Sequence, residues 1–442
     1  MKSILNKILI FLIPILLHQG CKTAVKTDNL KPRTGGNIVK IEKSGGQYKL
    51  FINGRKTCIK GAGTGIAFGA KGQNYLKMAR ELGANAVRTW GIDQGTKKYL
   101  DEANRLGLYV SAGIWLNPVK KKVCSYITDH KYRNKVKKEA LDYVRKFKDH
   151  PAIAFWNVGN EVFFFTKNER ERIAFAKFLN ELIIEIKKID KNHPVIYTSS
   201  FTHGLKYIVK YVPEVDIFGI NLYGGISTSL FMCEHLKFNG KKLNKPIMIT
   251  EVGQMGQWDR PKYKNGISIE LPDHITAVII KNRVKESMQY KKSVFGIFVF
   301  HLGETSQESL TWWNINYGKY KRAAYWEVYK IFKGIKNKIH YPLISSFDIS
   351  KKDGLRPGEW MKVKTGVLYK GDGVLSYEYF FSTSQENILK YYVNKRIEAR
   401  VKGSGNHVLV QVPKKRGKYR FYVAVKNNSG SAAVRNIGIQ VK

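Results

Sequence analysis

Between residues 57 and 332, short apolar runs rich in β-branched and aromatic residues alternate with longer segments whose apolar positions recur every three or four residues. The runs at 57–68, 84–90, 108–115, 152–162, 194–199, 216–223, 246–251 and 295–301 predict strands. The periodic segments at 75–82, 97–106, 132–148, 169–189, 205–211, 274–290 and 322–332 predict helices, and 227–243 reads as mixed. Runs that are apolar throughout belong to parallel strands buried on both faces. Eight such strands interleaved with about eight helices over roughly 280 residues predict a (β/α)8 barrel.

Past Gly334 the period shortens to two, with Leu375, Tyr377, Tyr379 and Phe381, then Val408, Val410 and Val412, then Tyr419, Phe421, Val423 and Val425. Turn clusters at Gly371-Asp372-Gly373 and Asn427-Asn428-Ser429-Gly430 separate these runs. The pattern predicts an α/β chain in which a barrel domain at 41–338 is followed by an immunoglobulin-like β-sandwich at 341–442. A short hairpin strand at 48–52, with Asn53-Gly54, leads into the barrel.

Within the fourth strand segment, AIAFWNVGNEV (152–162), an apolar run delivers Asn160 and Glu161 at its tip. Asn168-Glu169 and Asn180-Glu181 repeat the dipeptide, but within or beside a helical pattern, where solvated helix surface accounts for them. Side chains at the C-terminal ends of barrel strands face the site, so position singles out Glu161. A second carboxylate, Glu251, ends the seventh strand after PIMIT (246–250). Cleaving a glycosidic bond takes an acid for the leaving oxygen and a second carboxylate for the oxocarbenium-like centre, with the two held in different protonation states. Arg88, in AVRTWG, is placed to keep Glu251 ionised, and Tyr223, in GINLYGG, to hydrogen-bond it. Asn160 stands beside the acid as a grip for a sugar hydroxyl. Trp90, Trp115, Trp258, Trp312 and Trp313 lie near strand ends, where rings either stack on sugars or pack in the core. The Gly-rich stretch GAGTGIAFG (61–69) lacks the Lys-Ser/Thr of a phosphate-binding loop and reads as a loop at the barrel mouth.

The segments at 84–91, 157–161, 221–224 and 245–253 resemble the strand-end motifs of clan A glycoside hydrolases, notably the family 2 catalytic barrels. The resemblance implies Glu161 as acid/base, Glu251 as nucleophile, and Arg88, Asn160 and Tyr223 in support. One departure is His301 in GIFVFHLGE, near where much of the clan places a tryptophan platform, so that Trp312 or Trp313 is expected to supply that ring.

Composition adds a location. Lys2 and Lys7 precede an apolar run at 8–17 that is too short to span a bilayer, as in a secretion signal. The run ends at Gly20-Cys21, which resembles a bacterial lipobox with His18 in a place usually held by leucine. The segment 1–21 is therefore expected to be a signal with Cys21 as its lipidation site, and 22–40 a linker. The remaining Cys58, Cys124 and Cys233 form neither a disulfide framework nor a metal ladder, and no metal or organic cofactor is expected. The net charge of +43 favours a generally lysine-rich surface or a polyanionic substrate, and a secretion signal argues against nucleic acid. The expected protein is a lipid-anchored retaining β-glycosidase acting on a poly- or oligosaccharide. The same two glutamates also fit a transglycosylase, and a non-catalytic glycan-binding lipoprotein is the rival from another class.

Overall fold

The computed structural model describes residues 32–91, 93–119, 124–290, 293–384 and 394–442, so Cys21 and the signal-like segment lie outside the described residues. Eight parallel strands form the barrel: Ile59–Gly63 (β1), Ala86–Arg88 (β2), Tyr109–Ile114 (β3), Ile153–Asn160 (β4), Val195–Ser200 (β5), Ile217–Leu222 (β6), Ile247–Val252 (β7) and Val294–Val299 (β8). They close in the order β7-β8-β1-β2-β3-β4-β5-β6. Helices Tyr75–Leu82 (α1), Thr96–Arg105 (α2), His130–Phe147 (α3), Glu169–Ile189 (α4), Leu205–Tyr211 (α5), Ile226–His235 (α6), Asp273–Gln289 (α7) and Ala323–Lys333 (α8) follow the strands in turn. The mixed region resolves into α6 and a small hairpin, Lys237–Phe238 with Lys241–Lys242.

The strand runs are apolar on both faces because each face meets a different layer. In β5, Ile196 joins the barrel interior with Ile59, Ala86, Phe155 and Phe298, while Val195 and Tyr197 pack toward the helices. A leading hairpin, Val39–Ser44 paired with Gln47–Ile52, adds Val39, Leu50 and Ile52 to that interior beside Ile59 and Ile217, the first residues of β1 and β6. It closes the N-terminal end of the barrel, which leaves the C-terminal end as the mouth. The chain docks on the barrel before the hairpin begins. Arg33 donates from Nη2 to the carbonyl of Leu108 at 2.6 Å, and Asn37 from Nδ2 to that of Ile153 at 2.6 Å. The stretch expected to be linker up to residue 40 is thus seated from Arg33 onward.

The C-terminal strands are Leu343–Ile349 (β9), Trp360–Leu368 (β10), Leu375–Thr383 (β11), Arg396–Glu398 (β12), Arg400–Lys402 (β13), His407–Gln411 (β14), Gly417–Asn427 (β15) and Ala432–Val441 (β16). They make two antiparallel sheets, β9-β10-β14-β13 and β12-β11-β15-β16. Lettered in chain order this is A-B-E-D against C′-C-F-G, the Greek-key order of immunoglobulin-like sandwiches. The alternation seen in sequence is its core: Val408, Val410, Phe421, Val423 and Val425 all point between the sheets.

Barrel and sandwich share buried polar ties. Arg322, at the start of α8, reaches Asp273 with Nε at 3.1 Å and holds the carbonyls of Thr311 and Asn314 in the loop after β8. Asp273 in turn accepts from the backbone N–H of Val434 on β16 at 3.0 Å. Glu270 accepts from Ser309, Thr311 and Asn436, so one carboxylate joins the β8 loop to the sandwich. Removing one partner of a buried pair strands the other as an unpaired charge, at a cost of about 3–5 kcal/mol. Arg322→Ala is accordingly expected to lower the thermal midpoint of the whole chain by many degrees in calorimetry, with barrel and sandwich melting together.

Candidate active site

Both mouth carboxylates are set by an extra residue in their strand. In β4 the register with β5 shifts between Asn157 and Asn160, and in β7 the register with both neighbours shifts between Ile249 and Glu251 or Val252. Bulges of this kind re-aim the side chains that follow them. At the end of β4, Gly159 has φ 81°, a conformation that favours glycine, and a Cβ there would press on the Tyr197 ring at 3.3 Å. Glu161 itself has φ 54°, in the left-handed region that non-glycine residues seldom occupy and that clusters at functional sites.

Glu251 is buried and receives three donors. Arg88 Nη1 lies 2.6 Å from Oε1, Trp90 Nε1 lies 2.8 Å from the same oxygen, and the Tyr223 hydroxyl donates to Oε2. Burial first, and then the charge of Glu251, raise the Tyr223 hydroxyl far above its ordinary value, which keeps it a donor. All three neighbours donate, so both oxygens of Glu251 accept.

Glu161 has the opposite surroundings. Its Oε1 accepts one bond, from Asn221 Nδ2 at 2.9 Å. Burial, followed by the negative charge of Glu251, pushes its carboxyl up to about 7, while the Asn221 bond and the Arg88 charge pull the other way. Of the two carboxyls in the site, Glu161 is thereby set apart as the one that keeps its proton toward neutrality.

One chain of hydrogen bonds connects the two. Arg88 Nη2 donates to Asn160 Oδ1 at 2.8 Å, and Asn221 Nδ2 reaches the same oxygen at 3.3 Å. Thr250 Oγ1 donates to Asn221 Oδ1 at 2.9 Å and fixes the orientation of that amide. Asn160 accepts twice through its oxygen and is partly exposed at the end of β4.

The aromatic residues divide. Trp258, 50% exposed, stands edge-on to Tyr223 with ring centroids 6.4 Å apart, at the rim where a sugar face would pass. Trp115 exposes its ring at the end of β3 while its Nε1 is held by Asn117. Trp90, expected either to stack on a sugar or to pack in the core, supports Glu251 instead: its indole nitrogen serves that carboxylate and its ring lies 4.9 Å from the Arg88 guanidinium. A Cβ on Gly63 would sit 2.8 Å from that indole, so the glycine that ends β1 makes room for it. Of the pair expected to supply a ring after β8, Trp312 is buried with Nε1 on the carbonyl of Met255, and Trp313 borders Tyr223, at 5.1 Å between centroids. His301 is buried between Trp90 and Asn314, and burial pushes its imidazole down to about 4, so it is neutral at pH 7.

Asn168 caps α4 by accepting from the Glu171 amide, and Glu181 pairs with Lys137, which keeps both other Asn-Glu pairs on helix surface. Asn221, Thr250 and Ser200, whose hydroxyl also bonds the Glu161 carboxyl, were not singled out from sequence. The available signal was a polar side chain at the C-terminal tip of an otherwise apolar strand.

Residues 47–261, which span β1 to β7 and both glutamates, match the family described as "Glycosyl hydrolases family 2, TIM barrel domain". The barrel is a family 2-like glycoside hydrolase domain. Two solved structures share its fold. A calcium-binding mutant of Bacteroides uniformis beta-glucuronidase 2 superposes with a TM-score of 0.51 at 14% identity, covering 91% of this chain and 48% of that one. The same enzyme covalently bound to cyclophellitol-6-carboxylate aziridine gives a TM-score of 0.50 at 15% identity, with the same 91% and 48% coverage. This chain thus spans about half the length of the structures it matches. No curated protein matches it in sequence.

In this glycoside hydrolase domain the Trp90 bond is made to a charged group, a class of bond worth about 1.5–3 kcal/mol. Trp90→Phe keeps the ring and removes the donor. It is expected to lower kcat/KM by roughly 10- to 100-fold with a small change in KM, as read from steady-state kinetics on an aryl glycoside.

Proposed function

We propose that this protein is a retaining β-glycosidase that hydrolyses a poly- or oligosaccharide by double displacement. The observation that carries this reading is the pairing of an anionic Glu251 from β7 with a proton-holding Glu161 from β4, joined through Arg88, Asn160 and Asn221.

In the first step Glu161 protonates the glycosidic oxygen as Glu251 attacks the anomeric carbon. The bond to the leaving sugar breaks, and an ester to Glu251 forms. Glu161, now ionised, takes a proton from water. The water oxygen attacks the anomeric carbon, the ester breaks, and Glu251 leaves as a carboxylate. Arg88, Trp90 and Tyr223 stabilise the charge of Glu251 at both ends of the cycle and hold its oxygen on line, while the amide of Asn160 is placed for a hydroxyl of the bound sugar. Trp258 offers a ring face at the rim. A panel of nitrophenyl β-glycosides, with the anomer of the first product read by NMR, tests the reading. Retention of configuration is expected, and inversion would refute it.

The net charge of +43 supports a glycan that carries carboxylate or sulfate groups. The basic start, apolar run and Gly20-Cys21 support export followed by acylation of Cys21, with the enzyme held on the outer face of a membrane. Cys21→Ala is then expected to move the protein from the membrane fraction to the soluble fraction. Equal membrane retention of the variant would contradict the anchor.

A further inference from the structure

The sandwich turns β12-β11-β15-β16 toward the barrel: Arg420 of β15 donates to the carbonyl of Ser268, and Val434 of β16 to Asp273. The other sheet, β9-β10-β14-β13, presents its outer face to solvent, and the core fixes which side chains stand on that face. Met361 and Val363 of β10, with Val408 and Val410 of β14, point inward, so Trp360, Lys362, Lys364, His407, Leu409 and Gln411 point out. The register then orders the face in rows. Lys364 lies between Asp348 and His407, Leu409 between Lys362 and Lys402, and Gln411 between Trp360 and Arg400.

Four permanent cations, Lys362, Lys364, Arg400 and Lys402, therefore share one sheet face with a single carboxylate, Asp348. Among the described residues none of the four makes an ion pair, and Lys402 instead lies 4.5 Å over the Trp360 ring. The helix lysines are built differently. Lys97, Lys138 and Lys188 each pair with a carboxylate one turn away on their own helix. Like charges gathered on one sheet face repel and contribute nothing to folding. A depression of about 530 Å³ lies among them, lined by Asp348, Lys362, Lys364, Lys402, His407 and Leu409. Cations two residues apart on one strand stand about 7 Å apart, and those on β10 and β13, with β14 between them, about 9.6 Å apart, so charge recurs on the length scale of one to two sugars.

We propose that this outer sheet is a docking surface for an anionic polysaccharide, gripped by Lys362, Lys364, Arg400 and Lys402 and separate from the barrel mouth. The charge complementarity is carried by the sheet itself, and the choice of a polysaccharide as occupant rests on the glycosidase reading. A concave face with one aromatic ring also suits a chain lying in it better than a bilayer, which is met by protruding apolar side chains.

The test is affinity electrophoresis of the full chain through gels containing alginate, a polyuronate, or neutral dextran. The triple variant Lys362→Gln/Lys364→Gln/Lys402→Gln is compared with Lys97→Gln/Lys138→Gln/Lys188→Gln, which loses the same charge from paired helix sites. Retardation by alginate but not dextran is expected, with the sandwich variant's Kd raised about tenfold or more, and the helix variant's less than about twofold. Equal losses in both variants would reduce the effect to general charge and overturn the proposal. So would the absence of retardation, or binding confined to phosphatidylglycerol vesicles. Because binding is read without turnover, a protein that binds alginate and cleaves no glycoside defeats the glycosidase reading alone. One that cleaves glycosides and ignores alginate defeats the docking surface alone.

Discussion

Glu251→Ala is expected to lower kcat by on the order of 10⁵-fold, because the first displacement has no other nucleophile once the carboxylate is gone. Arg88, Trp90 and Tyr223 all aim their donors at this one group, so its removal also leaves three polar side chains facing an empty place. A small anion that enters that place can take over the attack. Azide added to the variant is expected to restore turnover of an activated aryl β-glycoside and to yield the α-glycosyl azide, the product of a single inversion. Recovery of a β-azide, or unchanged activity in the variant, would show that Glu251 is not the attacking group.

Glu161→Gln is expected to act through the leaving group. General acid assistance is worth about 10²- to 10⁴-fold, and it matters most for a sugar alcohol that departs poorly. In kcat/KM, which reports the first displacement, the variant should lose that factor on an oligosaccharide and little of it on a dinitrophenyl glycoside, whose leaving group needs no proton. The pH dependence follows from the carboxyl held up to about 7 by burial and by Glu251. The acid is competent while protonated, so wild-type kcat/KM on a poor leaving group should fall as pH rises through about 7. The glutamine variant should lack that limb. Stability carries the same sign. A carboxyl whose folded value is raised binds more protons in the native than in the unfolded state between about 4.3 and 7. Its contribution is full below that window and is lost as pH climbs through it. The thermal midpoint of Glu161→Gln should therefore gain on wild type from pH 5 to pH 8.

The barrel was legible because its signal is redundant. Each strand is an unbroken apolar run ended by a polar tip, and the periodic segments between them leave few other ways to bury so much surface. The sandwich was legible for the complementary reason, since a two-residue alternation such as Val408, Val410 and Val412 has meaning only with one face on a core. The two glutamates, Arg88 and Tyr223 were readable from strand position, and the structure brings all four together. What the sequence hid was register. No local pattern announces the extra residue before Glu161 or before Glu251, because a bulge is decided by the neighbouring strands. The roles of Trp90 and Trp312 stayed open in the sequence for a related reason: a tryptophan near a strand end can present its face, its edge or its N–H, and the loops that choose among these come from elsewhere in the chain. The ties of Glu270, Asp273 and Arg322 were likewise invisible, being contacts between segments far apart in sequence, and they make the sandwich a support for the β8 loop.

The account stands most directly on which side chain becomes bonded to sugar. A 2-deoxy-2-fluoro-β-glycosyl fluoride of the sugar the enzyme turns over would trap the ester, and peptide mapping by mass spectrometry would locate it. The label is expected on Glu251, with none when Glu251 is replaced by alanine. A label on Glu161 or any other residue, or rapid turnover of that reagent with inversion and no bound sugar, would contradict the division of roles between the two carboxyls.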